Sequence, residues 1–256
     1  MNKKRLITVL AATATLFLTV TAFAQTEVDF EVRLMDDNEG VIIEKYIGKA
    51  AAVRIPATIQ GVPVREIDGA FKGNNVITSV VIPDGVKKIE YQAFSGAVKL
   101  KTVTIPEGVT SIGDFAFSNT GLTAVLLPRS LTELGILAFA GTKITTIILP
   151  AGLTKIGVGA FSDCVNLKTV TLPEGITEIP GAMFSDCTAL IAFTLPASVT
   201  SIGRGAFRGC TALTTITIAN TIEKLDFPSS NAFIGCSKIT LINQATLKKL
   251  GYKGNF

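Results

Sequence analysis

The sequence predicts a β-rich repeat solenoid, because two independent landmarks recur with one period along most of the chain. The first landmark is a Phe that recurs at steps of 22 to 26 residues, at Phe71, Phe94, Phe117, Phe139, Phe161, Phe184, Phe207 and Phe233. The second landmark is a Pro after a short apolar stretch, at Pro56, Pro83, Pro106, Pro128, Pro150, Pro173 and Pro196, with Ala219 in the eighth place. A period of this length indicates that one supersecondary unit is stacked on the next.

The stretch before each Pro predicts a β-strand in every turn. In one representative turn, Val103 and Ile105 alternate with Thr102 and Thr104, which is the pattern of a half-buried strand rich in β-branched residues. Pro106 ends the pairing because proline has no N–H to donate. A single turn has too few apolar side chains to bury its own inner face, so the repeated Phe side chains are predicted to form a buried spine through the stack.

The first 24 residues predict a secretory signal peptide. They have a basic start at residues 3–5, an apolar stretch over residues 6–20 and Ala22-Phe23-Ala24 before Gln25. An uncleaved transmembrane anchor is the alternative, although the stretch is short for a span. After cleavage the chain would have 21 basic and 20 acidic residues. This net charge of about +1 is too small to indicate binding to nucleic acid or to an acidic membrane.

The two ends of the mature chain predict caps around a solenoid of residues 51–241. In the N-terminal cap, residues 25–50, an alternating stretch from Val28 to Leu34, turn residues at 36–40 and a second strand over 41–47 predict a β-hairpin. In the C-terminal cap, residues 242–256, Asn243 is predicted to cap a short helix over residues 244–250. Tyr252 and Phe256 are expected to pack back onto the last turn.

The repeated pattern Leu-x-x-Val-x-Ile-Pro-x-Gly-Val-x-x-Ile-Gly-x-x-Ala-Phe, as it stands at residues 100–117, resembles the BspA-type leucine-rich repeats of bacterial surface and secreted proteins. The resemblance covers about residues 51–241 and implies a leucine-rich-repeat right-handed coil of eight turns. It further implies recognition of other proteins by the exposed parallel sheet, including adhesion to host matrix or cell-surface proteins. The chain departs from ordinary leucine-rich repeats where their asparagine ladder would fall, at Gly85, Gly108, Ser130, Gly152, Gly175, Ser198 and Thr221.

Four cysteines stand three residues after their repeat Phe, at Cys164, Cys187, Cys210 and Cys236. They are predicted to form a file with one thiol per turn, at the 4.7–4.9 Å spacing of neighbouring strands. Parallel side chains in such a file favour buried free thiols, while disulfides remain an alternative. A zinc site is the least favoured reading, because the chain has no His and a line of thiols cannot surround an ion.

The sequence predicts no enzyme, no cofactor and no metal site. Because the chain has no His, every Ser-His-Asp, Cys-His and His-metal arrangement is unavailable. Asp163 and Asp186 recur at one repeat position and are expected to be solvated turn residues. Carbohydrate binding is disfavoured because the chain has no Trp and three Tyr.

Four outward-facing aliphatic side chains in the central repeats form the candidate protein-binding patch. Leu126 and Ile148 stand two residues before their prolines, where neighbouring turns carry Thr, and Ile136 and Val158 stand eight residues after theirs. An exposed apolar patch of this kind is typical of a protein-recognition site. The patch could instead be covered by a second copy, or the side chains could point inward if the strand register is shifted by one residue.

The sequence therefore predicts an exported protein-binding module that is secreted, attached to the cell surface or periplasmic. The alternative is a structural, envelope-associated protein that assembles with itself through the same sheet.

Overall fold

The N-terminal hairpin predicted from the alternating sequence is present and closes one end of the stack. The structure, a computed structural model, describes residues 26–256, so the predicted signal peptide of residues 1–24 lies outside the described residues. After a short 3₁₀ turn, β1 (Phe30–Leu34) pairs antiparallel with β2 (Val41–Tyr46). The Tyr46 ring lies 5.3 Å from Phe30 and 5.2 Å from Phe71, so the hairpin covers the first Phe of the spine.

Short strands recur in every part of the repeat region. They are β3 (Ala52–Arg54), β4 (Thr58–Ile59), β5 (Val62–Ile67), β6 (Ser79–Val81), β7 (Lys88–Ile89), β8 (Thr102–Thr104), β9 (Ser111–Ile112), β10 (Glu133–Leu134), β11 (Thr146–Ile148), β12 (Lys155–Ile156), β13 (Thr169–Thr171), β14 (Glu178–Ile179), β15 (Ala192–Leu195), β16 (Ser201–Ile202) and β17 (Thr215–Ile218).

These strands form two parallel files, which confirm the predicted β-rich repeat solenoid of eight turns. The first strand file holds the strands before the prolines, in sheets β3-β6-β8, β11-β13 and β15-β17. The second strand file holds the strands after the prolines, in the sheet β2-β5-β7-β9-β10-β12 and the pair β14-β16. We number the turns 1 to 8 by their repeat Phe, from Phe71 to Phe233.

The repeat Phe side chains form the predicted spine. Each of the eight rings is buried, and consecutive ring centroids from Phe71 to Phe233 lie 4.8 to 6.1 Å apart. The backbone repeats with the rings, since the Phe94 N–H donates to the Ala116 carbonyl at 2.7 Å and the Phe117 N–H donates to the Ala138 carbonyl at 2.7 Å. Stacking therefore supplies both the apolar burial and the hydrogen-bond partners that a single turn lacks.

Each of turns 1 to 7 has positive φ at two backbone positions, two residues before and two residues after the repeat Phe, and turn 8 has it only at the later position. The earlier position, which we call the left-handed position, holds glycine in turns 1, 5 and 7 and a larger residue in turns 2, 3, 4 and 6. The φ angles there are Gly69 60°, Gln92 54°, Phe115 58°, Leu137 53°, Gly159 65°, Ala182 53° and Gly205 64°. A Cβ in this region is strained, so glycine is the unstrained choice.

Serine hydroxyls connect neighbouring turns where ordinary leucine-rich repeats would have an asparagine ladder. The Ser130 Oγ accepts from the Gly108 N–H at 2.9 Å and donates to the Val109 carbonyl at 2.8 Å. The Ser198 Oγ makes the same pair of bonds with Gly175 and Ile176. A hydroxyl that both donates and accepts replaces the missing amide in these two turns.

The first strand file is interrupted at residues 123–127, where the sequence predicts a strand and the structure has none. The connection from Phe117 to Pro128 is one residue shorter than that from Phe94 to Pro106. The shortened chain lies directly against the preceding turn, since a Cβ on Gly121 would come within 2.4 Å of the Val98 carbonyl oxygen. Residues 123–127 do not keep the register of β8, whereas the equally short connection from Phe139 to Pro150 contains β11.

The C-terminal helix is present, but the predicted cap residue is wrong. Helix α1 (Leu241–Lys249) begins after Thr240, whose Oγ1 accepts from the Asn243 N–H. The Asn243 side chain instead bonds to the open edge of the last strand: its Oδ1 accepts from the Ile216 N–H at 3.1 Å and its Nδ2 donates to the Ile216 carbonyl at 2.8 Å. Tyr252 and Phe256 pack on Phe233 as expected.

The four cysteines form the predicted file of buried thiols, and all four are free. Each Sγ donates to the carbonyl of the repeat Phe in the preceding turn, at 2.9 to 3.2 Å. Burial raises the pKa of the Cys164 thiol from 9.0 to about 11 and also raises the pKa of Cys187. The pKa of Cys210 is raised by its hydrogen bond with Cys236 and by burial.

We expect Ala182→Gly to stabilise the protein, because glycine removes the strain of a Cβ at positive φ and little packing is lost. The free energy of unfolding should rise by about 0.5 to 1 kcal/mol, measured by urea denaturation. Ala206→Gly, at a buried position of the neighbouring turn that is not in the left-handed region, is the matched control and should lower it. Equal losses in both variants would contradict the proposed strain.

We expect the free energy of unfolding to fall above about pH 9, because unfolded thiols ionise there while the Cys164, Cys187 and Cys210 thiols, whose pKa values are raised, stay protonated. The contribution of the protonated thiols to the free energy of unfolding is fully present below pH 9. The part that comes from Cys164 is lost progressively up to about pH 11, at about 1.4 kcal/mol per pH unit. A variant with all four Cys changed to Ala, as at Ala97 of turn 2, should show a flatter profile. Identical profiles from pH 8 to 10.5 would contradict the account.

Candidate protein-binding surfaces

The first strand file presents a flat face of small polar side chains, which we call the threonine face. In each strand the middle residue faces the core and the flanking residues face outward. The outward side chains from β6 to β17 are Ser79, Val81, Thr102, Thr104, Thr146, Ile148, Thr169, Thr171, Ala192, Thr194, Thr215 and Thr217. None of these outward positions, all in the described part of the chain, carries a charge, so a partner could cover the face from β6 to β17 without desolvating an ion on it; β3, at the N-terminal end of the file, adds the exposed Arg54.

Leu126 and Ile148 form an apolar pair on the threonine face. Their exposed fractions are 83% and 62%, so both side chains point outward and the inward orientation left open by the sequence is excluded. They stand at the same position of consecutive turns, and the Thr145 N–H donates to the Thr123 carbonyl between those turns. Leu126 lies within the interrupted segment 123–127, and Ile148 ends β11.

Ile136 and Val158 form a second pair, at the corner that follows the second strand file. Their exposed fractions are 42% and 52%, and the turns are joined there by the Leu137 N–H, which donates to the Val158 carbonyl at 3.0 Å. The structure therefore brings Ile136 next to Val158 and Leu126 next to Ile148. The two pairs lie beside different strand files.

Three further apolar side chains lie at this corner outside the predicted patch, and two of them, Phe115 and Leu137, were missed by the sequence analysis. Tyr91 is exposed and meets the partly exposed Phe115 edge-on at 6.1 Å, and Leu137 lies over Gly159, where a Cβ would come within 2.8 Å of the Leu137 Cδ2. We define the corner stripe as Tyr91, Phe115, Ile136, Leu137 and Val158. Alignment of the turns would have shown that Phe115 and Leu137 occupy the left-handed position, where three other turns have glycine.

The outward face of the second strand file largely neutralises its own charge. Lys88 lies 3.2 Å from Glu66 and 3.5 Å from Glu90, and Lys155 bonds to Glu133 on the neighbouring strand. Exposed pairs of this kind contribute little stability, about 0 to 1 kcal/mol each. They do leave few unpaired charges on this sheet to attract a partner.

A cavity of about 380 Å³ lies at the C-terminal end of the corner stripe. Val158, Gly181 and Ser185 form part of its wall, and Arg204 and Arg208 add two cationic side chains. Gly181 leaves its wall open, since a Cβ there would meet no atom closer than 3.3 Å. The cavity can therefore accept a side chain from outside, with positive charge beside it.

Asp163 and Asp186 are turn residues, as the sequence predicts. Both have positive φ, 57° and 58°, and the Ser185 hydroxyl donates to the Asp186 carboxylate at 2.8 Å. No group of three or more His, Cys, Asp or Glu side chains within residues 26–256 comes together in a way that could hold a metal ion. Among the described helices, none is long and apolar enough to cross a membrane.

Solved structures of bacterial leucine-rich repeat proteins are similar to this chain. A leucine-rich repeat protein from T. pallidum is 31% identical, with a TM-score of 0.70, over 91% of this chain and 98% of that chain. A leucine-rich repeat protein from Bacteroides ovatus is 29% identical, with a TM-score of 0.72, over 80% of this chain. The match spans 55% of the Bacteroides ovatus chain. A comparison with curated proteins finds no match.

The BspA type leucine rich repeat region matches the sequence with six copies, over residues 67–191 and 132–253. These residues include the Phe spine, the cysteine file and both strand files from β6 onward. The resemblance seen in the repeat pattern is thereby confirmed. The chain belongs to the BspA-type leucine-rich repeat family.

Proposed function

We propose that this chain is an exported protein-recognition module and not an enzyme, and that its partner binds across the threonine face at Leu126 and Ile148. The observation that carries the proposal is the exposure of two large aliphatic side chains, 83% and 62%, at adjacent positions where neighbouring turns have Thr104 and Thr171. The solenoid does not need large aliphatic side chains at this position, because Thr occupies it in those neighbouring turns.

The energetics favour a binding role for this pair. Complete burial of a Leu or Ile side chain contributes roughly 1.5 to 3 kcal/mol, so two such side chains supply a substantial part of a micromolar interaction. The surrounding Thr side chains can exclude water from the contact and form hydrogen bonds at its rim. A protein surface with a complementary apolar pocket and few charges is the chemistry that this face suits.

Export supports the same function. The basic, apolar and small-residue segments of residues 1–24 have the order of a signal peptide, and they support a secreted, surface-attached or periplasmic location. In such a location the partner would be a host-matrix protein or a cell-surface protein, and the role would be adhesion.

The test is binding of the purified chain to a panel of extracellular-matrix and bacterial-surface proteins, measured by biolayer interferometry. We expect a Leu126→Thr and Ile148→Thr double variant to bind the captured partner at least 10-fold more weakly than the original chain, while its circular dichroism is unchanged. Thr already stands at this position in the neighbouring turns, so the fold should tolerate both changes.

The matched control is Val165→Thr, which removes a 49% exposed aliphatic side chain away from the strands of the threonine face. This variant should bind as the original chain does. Undiminished binding by the Leu126 and Ile148 double variant would overturn the proposed site.

A further inference from the structure

The corner stripe carries side chains that neither the backbone nor the core accounts for. Phe115 and Leu137 have φ angles of 58° and 53° in a region that favours glycine, and a side chain there costs about 1 to 2 kcal/mol. Both side chains are only partly buried, so the strain is not repaid by complete burial in this chain. Gln92 and Ala182 keep the same positive φ outside the stripe, so it is the exposed apolar surface of the stripe that indicates a surface covered in the functional state.

The position just before the left-handed position forms a column with opposite charge at its two ends. From turn 1 to turn 7 this corner column reads Asp68, Tyr91, Asp114, Ile136, Val158, Gly181 and Arg204. At the first end, the carboxyl groups of Glu44 and Glu66 and the guanidinium of Arg33 interact electrostatically with Asp68. At the other end, Arg204 and Arg208 share the cavity beside Gly181.

We propose that the corner stripe binds a second copy of this chain in antiparallel orientation, about a two-fold axis that crosses turn 4 at Ile136 and Leu137. In a two-fold contact the same surface is used by both copies, so the surface must be complementary to itself. With the axis at turn 4, turn 1 faces turn 7, turn 2 faces turn 6 and turn 3 faces turn 5 of the second copy.

Side-chain size is complementary in this arrangement. Tyr91 of turn 2 faces Gly181 of the second copy, where the cavity of about 380 Å³ is open to receive the ring. Phe115 of turn 3 faces turn 5 of the second copy, where it would contact Val158 beside the Leu137 side chain that already covers Gly159. At the axis, Ile136 and Leu137 meet their own copies and form the apolar centre.

Charge is complementary at the ends. Asp68 of turn 1 faces Arg204 of the second copy, and Lys88 of β7 faces Glu178 of β14. Glu133 lies opposite its own copy, and its bond to Lys155 within each chain offsets that repulsion. Opposite charges at the rim fix the antiparallel orientation, because a parallel pairing would place Asp68 on Asp68 and Arg204 on Arg204.

The expected dimer is weak. Six steps of about 4.8 Å between turns make the corner column about 29 Å long, so a contact about 20 Å wide would bury about 1,200 Å² in total. That area lies at the lower end of specific interfaces. We therefore expect a dissociation constant in the micromolar range, which sedimentation equilibrium between 5 and 500 μM can measure.

The Gly181→Val variant distinguishes this specific contact from non-specific apolar association. Val stands at the same column position in turn 5, so the fold should accept it, and the change adds apolar surface. We expect dimerisation to weaken at least 10-fold, because the new side chain occupies the place of Tyr91 from the second copy. The Leu126→Thr and Ile148→Thr variant should dimerise as the original chain does, so failure of the proposed recognition site would leave this inference intact. A monomer up to 500 μM, or a tighter dimer in Gly181→Val, would overturn the proposal.

Engineered thiols test the orientation, because the four native thiols are buried and do not interfere. We expect Ile136→Cys to form disulfide-linked dimers under mild oxidation, whereas Leu126→Cys, at a more exposed position outside the contact, should form no disulfide-linked dimer. A mixture of Tyr91→Cys and Gly181→Cys should cross-link between the two variants and not within either one. Dimers linked through Tyr91→Cys on both copies would show a parallel contact and overturn the antiparallel arrangement.

Discussion

One turn of this chain cannot bury its own apolar face, and the remaining structure follows from that constraint. From Phe71 to Phe207, each repeat Phe is covered by the ring of the next turn and its N–H donates to a carbonyl of that turn, while the Phe233 N–H donates to the Tyr252 hydroxyl. The same stacking buries the cysteine thiols and requires caps at both ends, where Tyr46 covers Phe71 and Tyr252 covers Phe233. The constraint acts on inward positions alone, so outward side chains are free to serve recognition.

Periodicity explains which parts of the fold the sequence could predict. The spine, the outward Thr positions and the cysteine file all depend on one repeat phase, and two independent landmarks determine that phase. The sequence could not show that Asn243 is not the helix cap, because its side chain bonds to Ile216 at a strand edge 27 residues away. The interruption at residues 123–127 was missed because the apolar repeat pattern continues through Val125 and Leu127 to Pro128.

The candidate surfaces also include a part that the sequence could predict and a part that it could not. The exposure of Leu126 and Ile148 follows from strand alternation, and the structure confirms their outward orientation. Phe115 and Leu137 were missed, because the sign of φ is visible in a sequence only where glycine occupies the same place in other turns. The proposed recognition site and the proposed dimer contact lie beside different strand files.

The stability of Phe161→Ala tests the stacking account most directly, because this ring is buried in the middle of the stack between Phe139 and Phe184. The account predicts that urea denaturation will show a loss of about 3 to 5 kcal/mol in the free energy of unfolding. The exposed Val165→Thr variant, four residues away, should change it by less than about 0.5 kcal/mol. A loss below about 1 kcal/mol for Phe161→Ala would show that the turns do not depend on the spine, and it would contradict the account.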